Sequence, residues 1–310
     1  MSFKNQIRIF SPATVANVSC GYDALGFALE GKGDEMIFKK TAEIKIVISH
    51  IEGAELPYDP DKNLVGIVAK AMLQKYNADF GLDIQIIKGF KPGSGLGSSA
   101  ASAAGTAFGV NELLGKPFTK TELTDFARLG ENFVSGSPIA DNVAAVIFGG
   151  FVLIKSAEPL EVVSLPVPKD LYVVALHPQV EIRTQDARSI LPENISLTKA
   201  TQQWANFGGL ISGLYESDYG LISRSLHDLI VEPHRKKLIP HFDEVKSAAL
   251  KVGALGSGIS GSGPTIFAIC KGEAVTKQVY AAMENTYKNK AIAFEMIQSK
   301  ISSKGVRVIA

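Results

Sequence analysis

Between Pro92 and Ser102 the chain reads Pro-Gly-Ser-Gly-Leu-Gly-Ser-Ser-Ala-Ala-Ser. Glycines at 93, 95 and 97 let the backbone pass close to a bulky anion, and Ser94, Ser98, Ser99 and Ser102 add hydroxyl donors. An apolar segment, Leu82 to Ile87, leads in, and a small-residue stretch, Ala100 to Leu114, leads out. That order predicts strand, glycine loop, helix. The helix start offers unpaired N–H groups and the positive end of a dipole, which suits a polyphosphate. A tight turn before an Ala/Gly-packed helix is the plainer alternative. No lysine follows Gly97, so this is not a Walker A loop. Ser98 stands where a dinucleotide fingerprint needs its third glycine. A protein-kinase glycine loop closes as a hairpin with no helix behind it. What remains is a cradle of glycine and serine amides, with a metal ion supplying positive charge.

Strands and helices must place this loop against a partner surface. Ile7 to Phe10 reads as a short strand that runs into a loop, Ser11 to Asp23, marked by Pro12, Asn17 and Gly21. Ile44 to Ile48 alternates as a strand does, and Asn63 to Tyr76 has the 3–4 spacing of an amphipathic helix. Thr121 to Phe133 reads as a helix with Thr121 at its N-cap, and Ala144 to Ile154 as a strand pair turning at Gly149-Gly150. The proline-marked stretch Pro159 to Pro168 is the best boundary, giving units 1–160 and 161–310. Beyond it come a strand at Leu171 to Leu176, helices at Trp204 to Tyr215, Tyr219 to Ile230 and Phe242 to Val252, and a second glycine-rich run, Gly256 to Pro264. A strand (Thr265 to Cys270), a helix (Val275 to Tyr287) and a strand (Ala291 to Ile297) follow. Strands and helices mix without regular alternation, which is an α+β pattern.

Composition narrows the function classes. With 310 residues, 46% hydrophobic and 20% charged, the chain can bury a sizeable core. A net charge of +1 argues against nucleic-acid binding or a polybasic membrane patch. Cys20 and Cys270, without CxxC spacing, fit reduced thiols in a cytosolic protein, with a single long-range disulfide as the lesser alternative. The first residues lack a signal-peptide core, and the apolar run Ala144 to Ile154 is shorter than the ~20 residues a span needs. The expectation is a cytoplasmic protein.

Three motifs stand in order: Pro12-Ala13-Thr14…Asn17…Gly21-Tyr22-Asp23, the Pro92 to Ser99 loop, and Gly256-Ser257-Gly258…Gly261-Ser262-Gly263-Pro264-Thr265. Together they resemble the GHMP kinases, the superfamily of galactokinase, homoserine kinase, mevalonate kinase and phosphomevalonate kinase. Within it, four segments resemble the homoserine kinases. They are the first motif with Ala13-Thr14, Asn17 and Asp23; Ser135 to Ala144 around Asp141-Asn142; Arg183 to Pro192; and Glu232-Pro233-His234-Arg235. Ile139 departs from the pattern, standing where many members carry histidine. The resemblance implies a GHMP-kinase-like α+β fold, with an N-terminal ribosomal-S5-like half and a C-terminal ferredoxin-like half around a shared cleft. It also implies phosphoryl transfer from ATP, assisted by Mg²⁺, to the side-chain hydroxyl of L-homoserine. A mevalonate-type or sugar hydroxyl, or a non-catalytic ATP and amino-acid sensor, are the alternatives.

The residues suit that task. A zwitterionic substrate needs a fork-shaped cation for its carboxylate, and Arg188 and Arg235 are the candidates. Asp23 is the candidate for its ammonium, Asn17 and Asn142 suit the hydroxyl and its neighbours, and Thr184 can help hold substrate or phosphate. Glu131 is expected to ligate Mg²⁺ with the hydroxyl of Ser98, Ser99 being second choice. Asp141 can act as base, orient the ammonium or brace its loop; the resemblance implies no dedicated base, so Asn142, Asp141 and Arg188 form the catalytic set. Nucleotide binding falls to Pro92, Gly93, Ser94, Gly95, Leu96, Gly97, Ser98, Ser99, Ala100, Ala101 and Ser102. Asn63 would sit at the adenine edge with Leu64 or Val65 on the base, or else cap a helix. A homodimer is expected from fold analogy alone.

Overall fold

The computed structural model describes residues 5–309. Strand β1 (Gln6–Ala16) alternates exposed and buried residues only as far as Phe10; from Ser11 onward every residue is buried. The expected loop therefore starts six residues later, because Pro12 and Thr14 lie in a fully covered strand and the register shifts between them. Strand β2 (Leu25–Thr41) has no counterpart among the sequence expectations. Its glycines and charged residues interrupt the alternation where the strand passes from one set of neighbours to another. The first half continues with β3 (Ile46–Glu52), α1 (Leu64–Tyr76), β4 (Gly81–Ile87) and α2 (Ser98–Leu113). Then come α3 (Lys120–Ser135), α4 (Asp141–Phe148), β5 (Phe151–Ala157) and β6 (Leu160–Leu165).

The second half runs β7 (Leu171–Pro178), α5 (Thr184–Ser189), α6 (Leu197–Glu216), α7 (Tyr219–Ser225), α8 (Glu232–Arg235) and α9 (Phe242–Lys251). It ends with β8 (Gly256–Ile259), β9 (Ile266–Lys271), α10 (Glu273–Lys288), β10 (Phe294–Lys300) and β11 (Arg307–Ile309). One sheet has the order β11-β1-β2-β4-β3, with the β5–β6 hairpin attached to β2. Among the described residues only β3 and β4 pair in parallel there. The other sheet has the antiparallel order β10-β7-β9-β8. Segments on both sides of the expected 160/161 division share the first sheet, since β6 pairs with β5 and β11 with β1.

Helix α2 is the axis of the first half, and nearly all its residues are buried against α1, α3, α4 and β1. Alternation along β7 divides the second half between two cores. Val174 and Leu176 pack with α9 and α10, whereas Val173 and Ala175 face a core shared with Val15, Phe27 and Leu29 of the first sheet. Phe27 meets Phe267 edge-on across that core at 6.4 Å.

Three local expectations are corrected. Thr119, not Thr121, caps α3, through a capping box with Glu122. Residues 144–148 are helical, and only Phe151 onward is strand, because a short apolar run does not distinguish the two. The helix expected over Tyr219 to Ile230 stops at Ser225.

Candidate active site

Gly93, Gly95 and Gly97 all adopt positive φ, at 74°, 78° and 70°. A Cβ on Gly97 would overlap Thr14 Oγ1 and lie 2.7 Å from Asn142 Oδ1; one on Gly95 would lie 2.7 Å from the carbonyls of Ser260 and Gly263. Gly97 is the N-cap of α2 and supplies no side-chain acceptor, so the first turn of α2 keeps its N–H donors for a ligand. The loop opens onto a cavity of about 440 Å³. Pro92, Gly93, Gly95, Gly97, Ser98, Ser99 and Ser102 reach its wall. Ser94, Leu96, Ala100 and Ala101 do not: all are buried, and the Ser94 carbonyl accepts the Thr265 hydroxyl at 2.6 Å.

The three sequence motifs meet here. Thr14 N–H donates to the Leu96 carbonyl at 3.0 Å, and its hydroxyl to Asn142 Oδ1 at 2.7 Å. The Ser260 hydroxyl donates to the Gly95 carbonyl at 2.7 Å, and Gly261 N–H to the Ala16 carbonyl at 3.0 Å. The glycine-rich run after β8 thus abuts the phosphate-type loop.

Two buried carboxylates line the cavity. Glu131 projects from α3, and one of its oxygens, Oε1, has no hydrogen-bond partner. Burial pushes its pKa up to about 7, against the lowering effects of the Ser99 hydroxyl and the Lys88 charge. Asp141 opens α4 and also carries an unpartnered oxygen, Oδ2. Burial and the nearby Asp23 push it up to about 7, while the N–H groups of Asn142 and Asn17 oppose the shift. An orphaned carboxylate oxygen beside a serine hydroxyl is a hard-oxygen donor set that fits a divalent cation.

Near Asp141 and the Gly261 turn stand the charged groups. Asp23 and Arg188, assigned to different ends of a zwitterion, bond each other: Arg188 donates to both Asp23 oxygens at 2.9 and 2.8 Å. Arg188 Nε is buried without a partner. Arg235 is 2% exposed; its Nε donates to the Ala187 carbonyl and its Nη1 to the Gly261 carbonyl, both at 3.0 Å. The Tyr22 ring lies 5.0 Å from the Arg235 guanidinium and 5.7 Å from that of Arg188. Thr184 begins α5 and lines the cavity, as does Ile139. Asn17 also lines it, but its amide bridges Asp23 N–H at 2.8 Å and the Gly261 carbonyl at 2.9 Å, so it braces the loop.

Asn63 requires correction. It is absent from the cavity wall; its Oδ1 caps α1 through Val65 N–H at 3.0 Å, and its Nδ2 donates to the Pro57 carbonyl at 2.7 Å. Leu64 does line the cavity, together with Leu56 and Val134, whereas Val65 is in the core. Sequence reasoning missed Lys88, which also lines the cavity. Its ammonium pairs with Asp34 and donates to the Ser98 carbonyl and the Ser102 hydroxyl, each at 3.0 Å. Burial pushes the Asp34 carboxyl up and the Lys88 ammonium down, each offset in part by the other's charge. The pair is 54 residues apart, so no local pattern marks it.

Comparisons with known proteins identify the family. Residues 63–150 match the family model for the GHMP kinases N terminal domain, and residues 210–289 that for GHMP kinases C terminal. A homoserine kinase from Chlorobium phaeovibrioides is 44% identical over 98% of this chain and 99% of its own length. One from Methanococcus maripaludis is 43% identical over 87% of this chain and 89% of its own. The crystal structure of homoserine kinase from Cytophaga hutchinsonii superposes with a TM-score of 0.96 at 45% identity, covering 100% of this chain and 99% of that one. The L. major mevalonate kinase, at 14% identity and a TM-score of 0.72, shares the fold. With a donor-lined glycine loop and a pocket of paired charges in one cavity, and relatives that match along almost its whole length, the chain belongs to the homoserine kinases of the GHMP family.

Proposed function

We propose that the chain transfers the γ-phosphoryl group of ATP to the side-chain hydroxyl of L-homoserine, giving O-phospho-L-homoserine and ADP. One observation carries the reading: a phosphate-type loop and a pocket of opposed charges open into the same cavity of about 440 Å³. The α2 N-terminus and the glycine amides hold the phosphates; Leu56, Leu64 and Val134 form an apolar wall for the base. Arg235 and Arg188 take the substrate carboxylate, and Asp23 takes its ammonium by exchanging partners with Arg188. Thr184 and Asn142 flank the hydroxyl. The new bond forms from the homoserine oxygen to the γ-phosphorus as the bond to the β,γ-bridging oxygen breaks; the hydroxyl proton passes to a transferred phosphoryl oxygen and on to water, and ADP leaves.

In a loose transition state the hydroxyl needs little activation, so position and charge carry the rate. Asp141 then serves chiefly as a brace, holding the N–H groups of Asn17 and Asn142. Glu131 is the residue that would hold Mg²⁺, with Ser98 or Ser99 supplying a hydroxyl. The Ser99 hydroxyl acts to lower the Glu131 pKa, which favours it for this part. When bound, the cation would neutralise charge developing on the phosphate oxygens. Two free buried cysteines, and no helix among the described residues long and apolar enough to cross a membrane, support a cytoplasmic enzyme. A homodimer, expected from fold analogy, is tested by light scattering of the purified chain.

A coupled ADP-release assay with L-homoserine, L-serine, L-threonine and mevalonate tests the reading. L-homoserine should give by far the highest kcat/KM. Faster turnover of mevalonate would reassign the substrate, and tight ATP binding with no turnover of any hydroxyl would make the chain a sensor.

A further inference from the structure

Gln203 and Asp228 lie off the cavity wall, yet together they hold both segments that build its charged end. Gln203 lies on the buried face of α6 and uses both ends of its amide. Nε2 donates to the Cys20 carbonyl at 3.3 Å and to Asp228 Oδ1 at 2.9 Å, while Oε1 accepts the Leu229 N–H at 2.8 Å. Asp228 in turn gathers the main chain ahead of α8. Its Oδ1 accepts the N–H groups of Ile230 and Val231 at 2.9 and 3.0 Å, and Oδ2 accepts that of Glu232 at 2.8 Å. Helix α8 has four residues and no side-chain cap from its own N-cap, Val231. So short a helix does not sustain itself, and the Asp228 carboxylate supplies the acceptors it lacks.

What these bonds fix is the spacing of groups that face the cavity. Arg235 is the last residue of α8. Cys20 leads directly into Gly21-Tyr22-Asp23, whose ring and carboxylate meet Arg235 and Arg188. There is little slack between that loop and α6, since a Cβ on Gly21 would overlap Leu25 and lie 3.2 Å from Phe207. One buried amide therefore ties the 20–23 loop to the 228–235 turn.

We infer that the Gln203–Asp228 pair is a positioning device that sets the gap between the Tyr22–Asp23 loop and Arg235, and so fixes the length of amino acid accepted there. This rests on the assignment of Arg235 to the substrate carboxylate. The chemistry at 203 is exacting: glutamate removes the donor to the Cys20 carbonyl and places a second carboxylate against Asp228, and leucine takes the amide partner from the Cys20 carbonyl, the Leu229 N–H and Asp228 Oδ1, which keeps only its main-chain donors. Either change releases the gap without touching a cavity-lining residue.

The test is steady-state kinetics on the full chain for Gln203→Glu, Gln203→Leu, Asp228→Asn, the double variant Gln203→Leu/Asp228→Asn, and Arg235→Lys as control. Each is assayed with L-homoserine and with L-serine, one methylene shorter, while ATP is varied separately. The pair variants should raise the L-homoserine KM about tenfold or more, keep the ATP KM within about twofold, and lower the preference for L-homoserine over L-serine at least about fivefold. The double variant should be no worse than the worse single one, as expected of one unit. Parallel losses in kcat and both KM values, with the preference unchanged, would overturn the inference in favour of a merely structural role. If Arg235→Lys raises the L-homoserine KM and the pair variants do not, the positioning role fails and the Arg235 assignment stands. If Arg235→Lys moves only the ATP KM, both fail. Should Gln203→Leu not fold, Gln203→Glu, nearly its native shape, and Asp228→Asn decide.

Discussion

The two ends of the cavity are built from different parts of the chain. At the end assigned to the nucleotide, the groups facing the phosphates are largely main chain, positive-φ glycines and the uncapped start of α2, with the Ser98, Ser99 and Glu131 side chains beside them. At the end assigned to the amino acid they are side chains already engaged, Asp23 with Arg188 and Arg235 with two main-chain carbonyls. A backbone cradle is organised before its ligand arrives, and its donors need no rearrangement. A side-chain pocket of matched charges holds itself together while empty and exchanges partners on binding. One end is thus defined by what cannot be added to it, and the other by what cannot be taken away.

The contrast breaks most sharply at Gly97. Gly97→Ala should lower kcat/KM for ATP about a thousandfold, because its Cβ collides with Thr14 and Asn142, whereas Gly93→Ala, with open space around it, should lose about tenfold or less. Similar losses in the two variants, measured by initial rates, would show that φ strain rather than the close approach governs the loop. Glu131→Gln should reduce turnover about a hundredfold and abolish the ordinary Mg²⁺ dependence; an unchanged Mg²⁺ titration rejects the ligand role. The same variant should melt higher than the parent at pH 8. Glu131 and Asp141 each have a folded pKa near 7, above the ordinary 4.5 and 3.8. The folded chain therefore binds extra protons in that window. The stability these groups contribute is complete below about pH 4 and is lost as pH rises through 7. Removing the Glu131 charge should recover about 2–5 °C at pH 8 and little at pH 5, read by thermal unfolding. For the parent, activity should fall as pH drops through 7, and extra Mg²⁺ should restore it.

The amino-acid end yields smaller effects. Arg235→Lys should raise the L-homoserine KM about tenfold, because a point charge loses the fork geometry, and leave the ATP KM unchanged. Asp141→Asn should change kcat least, about threefold, if the residue braces Asn17 and Asn142. A loss of several hundredfold, with the acid limb of the pH profile gone, would instead make it the base.

The same division explains what the sequence made legible. The glycine loop could be read because its positive φ values are demanded locally, although the close approaches that also bar a Cβ at Gly95 and Gly97 come from Ser260, Gly263, Thr14 and Asn142, distant in the sequence. The GHMP-type α+β fold followed from the resemblance that three motifs carry, and the homoserine kinase activity from the resemblance of four segments, the first motif among them. Asn63 was open to two readings, and its main-chain partners at Pro57 and Val65 settle it as a cap. Contacts between distant side chains left no local trace, as with Lys88 and Asp34, or Gln203 bridging Cys20 and Asp228. Strand β2 escaped because its glycines and charges mark a change of neighbours, which periodicity alone reports as a loop.

Calorimetric titration of ADP with Mg²⁺, and separately of L-homoserine, into Gly97→Ala and Arg235→Lys tests the division of the cavity most directly. Gly97→Ala should lose measurable nucleotide binding and largely keep the amino acid, and Arg235→Lys should weaken the amino acid about tenfold and leave the nucleotide unchanged. If either variant loses both ligands in equal measure, the cavity is one indivisible site and the account of two independently built ends is wrong.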